Sequence, residues 1–431
     1  MPGLFYLAAL QQSGERTQMA EIPAQNPAAI REYNITLEAV ILLVLGIFMG
    51  FFGLLLFPIH TGALPYSPDS TYGLFLVIVA LQVITMGKTP FGTVRRSWIV
   101  ILSGITAGII GMSACFIPGA LSDLVRILVG ALLVCGGAVL FLQLILNPDK
   151  AAVWFRAPGI LRHLTIACGL AYVMAFLLGL VTLVPALTND KLTAALLIID
   201  SVTLFYLAWC IQTVERMYPG KGMTGPLVGD DGELPVLLRD APLSFTAVIL
   251  IFLGVLISLL AVLLVPVALG ILQLSADGQL GLLLILMAVQ VLAIGNTPVG
   301  QFRRSWPVVA IGLVFVILGI FSCIVPGVTT FLTRMMIAVL NIAGGIILLA
   351  LRLYPIVHQA RNPSVEPVII PAVMKHLLIL QSVLNIVGIL FGTSVLLPGL
   401  IPGLVLLVIL FCYGLLLFAV AVLLERLPAA A

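Results

Sequence analysis

Gly87-Lys-Thr-Pro-Phe-Gly-Thr-Val-Arg-Arg-Ser-Trp98 returns 208 residues later as Gly295-Asn-Thr-Pro-Val-Gly-Gln-Phe-Arg-Arg-Ser-Trp306, identical at eight of twelve positions. The same shift holds without a gap from about residue 39 to 146. It sets Pro58 on Pro266, Gln82 on Gln290, Cys115 on Cys323, Pro118-Gly119 on Pro326-Gly327, Arg126 on Arg334 and Gly136-Gly137 on Gly344-Gly345. Beyond that, a small change of register pairs His163 with His376, Pro185 with Pro398, and Glu215-Arg216 with Glu425-Arg426. The sequence reads as a tandem duplication.

What is duplicated is apolar. Of 431 residues, 62% are hydrophobic and 9% charged, and the mean hydropathy is +1.25. A soluble domain carries about 25% charged residues, so no water-facing surface of this size can be built here. Crossing the hydrocarbon core takes about 20 apolar residues in a helix. Twelve runs qualify, near 37–58, 71–86, 98–117, 121–146, 164–185, 192–214, 245–266, 279–294, 306–325, 330–352, 376–397 and 400–424. The expected fold is therefore an all-α polytopic membrane protein of about twelve transmembrane helices, arranged as two parallel six-helix repeats. The domains follow: an N-terminal segment 1–36, a first repeat 37–216, a polar linker 217–242, a second repeat 243–426 and a tail 427–431.

Charge sets the orientation. Seventeen of the twenty Lys and Arg fall on the side of the termini and the arginine loops, leaving Arg126, Lys191 and Arg334 on the other. Basic loops stay cytoplasmic, so both termini are expected in the cytoplasm and the protein in the cytoplasmic (inner) membrane. No cleavable signal peptide is read in residues 1–35.

Within each repeat the first, third and fifth spans carry small residues followed by a proline, as in Gly46, Gly53, Pro58 and Gly104, Gly111, Pro118. That rhythm predicts three glycine-rich helical hairpins per repeat, their backbones brought close by glycine. The segment from Trp98 through Ile117-Pro-Gly119, followed by Leu128-Val-Gly-Ala-Leu-Leu-Val-Cys-Gly-Gly137, resembles the unit of HdeD-like acid-resistance membrane proteins, and Trp306 through Gly327 repeats it. The resemblance implies a six-span unit of glycine-rich hairpins and supplies no catalytic residues. This chain departs from it by being doubled and by carrying the paired arginine loops. The twelve-span, two-half plan also resembles the major facilitator superfamily. There, however, an acidic residue stands where this sequence has Phe91 and Val299.

Two groups of residues are candidates for function. Thr89, Arg95, Arg96 and Trp98, with Thr297, Arg303, Arg304 and Trp306, form matching Gly/Pro-interrupted loops at the ends of short spans, a pattern that can mark a binding site. Their arginines suit an anionic lipid phosphate or a partner's carboxylate; the alternative is a structural turn with topogenic charges. The second group is intramembrane. Asp200 lies deep in a span, where an ionisable group is costly and calls for a named partner. Arg126 is the candidate, with a protonated, hydrogen-bonded Asp200 as the alternative. Gln82 and Gln290 lie one turn inside the arginine loops. On the register that joins Glu215 to Glu425, the counterpart of Asp200 falls near Leu410.

The six cysteines all sit in apolar runs without metal-ligand spacing, and no nucleophile–base set, phosphate loop or haem pair is found. No metal and no cofactor is expected, no nucleic-acid partner, and no enzyme. The expected function is a non-catalytic integral membrane protein, either HdeD-like and structural or a scaffold subunit of a larger membrane complex. The expected partners are the lipid bilayer, including anionic lipid, and other membrane subunits. The alternative is a secondary transporter with its site between the halves.

Overall fold

The computed structural model describes residues 35–85, 97–119, 121–146, 159–184, 186, 189–217, 241, 243–294, 306–361, 372–397 and 399–426. These form twelve helices and no strand: α1 Leu37–His60, α2 Pro68–Thr85, α3 Trp98–Phe116, α4 Ser122–Leu146, α5 Ile160–Leu183, α6 Asp190–Met217, α7 Phe245–Ala268, α8 Ala276–Ile294, α9 Trp306–Ile324, α10 Thr330–Arg361, α11 Ala372–Leu396 and α12 Gly403–Glu425. Nine of these described helices are long and apolar enough to cross a membrane. The remaining three, α2, α8 and α9, are apolar over shorter stretches. The chain is a multi-pass membrane protein.

Local chemistry explains the helix ends. Thr36 and Ser244, 208 residues apart, cap α1 and α7 by accepting from the N–H groups of Ala39 and Ala247 at 3.4 and 3.3 Å. At the other end of α1, Gly62 takes φ +74°, its N–H donates to Ile59 O, and that of Ala63 donates to Pro58 O. This is a Schellman stop, which needs the left-handed residue glycine supplies. Gly270, with φ +72°, stops α7 in the same way through Val267 O and Pro266 O.

The helices do not pair as the expected hairpins. α2 packs along α3, α4 along α5, and α1 along α6; α8 packs along α9, α10 along α11, and α7 along α12. Two pairs per half still join consecutive helices, but the third closes the unit by bringing its first helix against its last. Glycine spacing marks which face approaches a neighbour without saying which neighbour. Gly73 of α2 lies against the backbone of Gly111 and Cys115. Gly137 of α4 lies against Tyr172 and Phe176, and Gly46, Gly50 and Gly53 of α1 face Phe205, Ser201 and Ala194 of α6.

The halves meet through α1, α2 and α3 against α7, α8 and α9. Ser67 N–H donates to Ile324 O at 3.1 Å, and Ser275 N–H to Phe116 O at 2.8 Å. A shift of 208 residues interchanges these two bonds. Reciprocal contacts of this kind are what a two-fold axis produces. Near the same place the Cys115 and Cys323 thiols both approach Gly278 O, at 3.5 and 3.7 Å.

Candidate functional site

Each half contains a cavity lined by its own helices, and the two occupy corresponding positions. The first, about 390 Å³, lies among α1 to α6 and includes Gln82, Gly137, Cys168, Tyr172 and Asp200 in its lining. The second, about 370 Å³, lies among α7 to α12, with Gln290, Asn341, Gln381, Asn385 and Tyr413 in its lining. Both volumes fall in the range of small-molecule sites, about 300–1,000 Å³.

The helix contacts fix which residues correspond. Thr36 N–H donates to Gln212 Oε1 at 2.9 Å, and its counterpart Ser244 N–H donates to Glu425 Oε1 at 2.6 Å. Ser201 Oγ donates to Gly46 O at 2.7 Å beside Gly50. In the second half, Gly414 faces Gly254 O and Ser258, so glycine and serine have exchanged helices. Both contacts require a shift of 213 residues in the last helix, the shift that also pairs His163 with His376. Glu425 therefore corresponds to Gln212 and not to Glu215. The counterpart of Asp200 is Tyr413 and not a residue near Leu410.

Asp200 and Tyr413 each lie ten residues into their helices, roughly 15 Å along the axis at 1.5 Å per residue. Asp200 is 4% exposed and makes no hydrogen bond or ion pair among the described residues. Its expected partner is elsewhere: Arg126 pairs with Asp123 at 3.4 Å, one turn away on the same helix, and is partly exposed. Arginine at a helix end keeps its charge near water, so it does not reach into the span. Gln82 joins Asp200 in the first cavity, and Gln290 lines the second together with Tyr413. The four intramembrane candidates thus divide among three places.

The arginine loops are a different matter. Thr89, Arg95, Arg96, Thr297, Arg303 and Arg304 lie outside the described residues. Trp98 begins α3 and is partly exposed, and Trp306 begins α9. The segments 1–34, 218–240 and 427–431 also lie outside the described residues.

The second cavity was missed at the sequence level because Gln381, Asn385 and Tyr413 are scattered over two helices whose register slips by five residues from the earlier alignment. Carrying the His163–His376 register through the last helix would have found Tyr413.

No family model, curated protein or solved structure matches the chain.

A carboxylate buried without a partner does not hold a fold together, whereas breaking a buried ion pair costs about 3–5 kcal/mol. Asp200→Leu is therefore expected to melt at or above the temperature of the parent protein in detergent. A large drop in melting temperature would mean that Asp200 has a structural ionic partner after all.

Proposed function

We propose that this chain is a non-catalytic membrane protein of two parallel six-helix halves, acting as an HdeD-like structural or accessory protein or as a scaffold subunit of a larger membrane complex in the cytoplasmic membrane. The reading rests on the seam. An alternating-access carrier rocks one half against the other around a central site. Here reciprocal backbone hydrogen bonds tie Ser67 to Ile324 and Ser275 to Phe116, and fully buried side chains such as Phe252 and Phe116 fill the surrounding core. A seam of this kind favours a rigid body over a rocking one. The paired cavities favour the second reading, a secondary transporter, but they belong to the individual halves and not to the space between them.

The arginine loops are the proposed docking elements, facing the cytoplasm. Changing Arg95, Arg96, Arg303 and Arg304 together to Gln is expected to release co-purifying subunits or anionic lipid from protein extracted in mild detergent, with the melting temperature unchanged. Exposed arginines stabilise a fold little, but their pairs with phosphate or carboxylate are comparatively strong. Altered uptake with an unchanged set of subunits and lipids would favour the transporter. No change in subunits, lipids or uptake would return the loops to turns with topogenic charges.

A further inference from the structure

Asp200 lines a cavity that offers its charge no basic partner. Among the described residues, the first-half lining contains no Lys, Arg or His, and Asp200, 4% exposed, has no hydrogen-bond or ion-pair partner. A carboxylate at this depth is costly unless a cation or a proton neutralises it. At about 390 Å³ the cavity has room for a cation far larger than a proton.

The rest of the wall restricts that cation. Among the described lining residues, side-chain oxygens come only from Asp200, Gln82 and Tyr172. That is too few for a calcium ion, which takes about 6–8 oxygen ligands. The remaining wall is apolar, and the rings of Phe75 and Tyr172 border it. Aromatic faces attract organic ammonium groups as well as carbon. The wall therefore suits an ammonium head attached to an apolar body better than a bare metal ion.

Two features give such a molecule access. Leu132 and Val139 of α4 border the cavity and are exposed on the helix surface. Between them Gly136 has nothing within 4 Å of an added Cβ, so an apolar body can enter sideways from the lipid phase. A further cavity of about 220 Å³ adjoins the first and shares Met49, Phe75, Val129 and Leu133 with it. Asp190 lines this one, ten residues before Asp200 at the start of α6, with His60 Nδ1 at 2.7 Å from its carboxylate. Among the described residues, the charged groups lining the two cavities are thus both carboxylates, and both stand on one helix.

We infer that the first-half cavity is a binding site for an amphiphilic organic cation, whose ammonium head pairs with Asp200 while its apolar body lies against the walls of α1, α2 and α4. The site lies within one half and needs no movement at the seam. It adds ligand binding to the scaffold reading without resting on it.

The test uses the full chain in a nonionic detergent and two photoreactive probes with the same diazirine-bearing decyl tail. One ends in trimethylammonium and the other in its uncharged isostere, a tert-butyl group. Labelling of α4, α5 and α6 peptides, normalised to that of α10 peptides, is expected to be about tenfold higher for the ammonium probe, at the low end for a close charge pair. Asp200→Asn, close to isosteric, should abolish that excess and leave labelling by the uncharged probe as it was. Asp200→Leu serves the same purpose if the Asn variant does not fold. The excess should survive high sodium chloride, because a pair held away from water is screened little, and it should survive Asp190→Asn. Loss under either condition would put the ammonium at the exposed end of α6 and overturn the site. On the parent protein, unlabelled decyltrimethylammonium should suppress the excess and undecanol should not; equal suppression by both is an overturning result. So is equal labelling by the two probes, which would reduce the cavity to an apolar groove filled by lipid tails, and so is an excess undiminished in the Asp200 variants.

Discussion

Gly278→Ala is expected to destabilise the protein by about 3 kcal/mol or more, seen as a large fall in melting temperature and in folded yield. Gly278 stands in the first turn of α8. A Cβ there would overlap the carbonyl oxygen of Cys115, a backbone atom of α3 that cannot rotate aside, and would meet Ser70 Oγ at 3.0 Å. Relief requires the two halves to separate, which strains the Ser275–Phe116 bond three residues away. Gly136 and Gly344 provide the control. Both are interior helix residues with nothing within 4 Å of an added Cβ. Alanine at either is expected to leave stability unchanged or raise it by about 0.5–1 kcal/mol, since glycine carries an entropic cost in a helix. Equal tolerance at all three positions would mean that the seam is loose.

Phe252→Ala is expected to cost about 3–5 kcal/mol, the range for emptying a buried aromatic site. Phe252 of α7 is fully buried, and its ring rests on Gly108 of α3, where an added Cβ would come within 2.5 Å of it. Gly108→Ala should therefore be damaging on its own but nearly harmless once Phe252 is Ala. The double-mutant cycle is expected to return a coupling of about 1–3 kcal/mol, the range for residues in direct contact. Additive effects would show that the two helices adjust independently. At the corresponding positions on the opposite side stand Val44 and Val316, both buried.

Hydrophobic run length leads to twelve expected spans; the structure has twelve helices among its described residues, nine of them long and apolar enough to cross a membrane. Helix ends shifted by a few residues, as with α5, which starts at Ile160 and not near 164. Partner choice was not legible. Gly46, Gly50 and Gly53 announce a close contact, but only the fold reveals that α6 makes it. Register was legible only in part, because Pro185/Pro398 and Glu215/Glu425 imply different shifts, and the contact of Glu425 with Ser244 decides between them. Depth in the membrane points to Arg126 as the partner of Asp200. Depth ignores that Asp123, one turn away, offers the arginine a partner at the helix end. The polar cavity of the second half was harder still to see, since single Gln and Asn residues in apolar spans look like isolated exceptions until the helices are assembled.

The reciprocity of the seam bears on how such a molecule can change over time. A surface whose residues meet their own counterparts is what a homodimer uses, and in a homodimer every substitution occurs twice, once in each copy. Two similar units carried in one chain are free of that constraint, because each substitution then occurs once. Cys168 and Gln381, or Asp200 and Tyr413, occupy matching positions yet differ in chemistry, an asymmetry unavailable to two identical chains. Within one chain, one pocket can differ from the other while the framework of the seam stays intact.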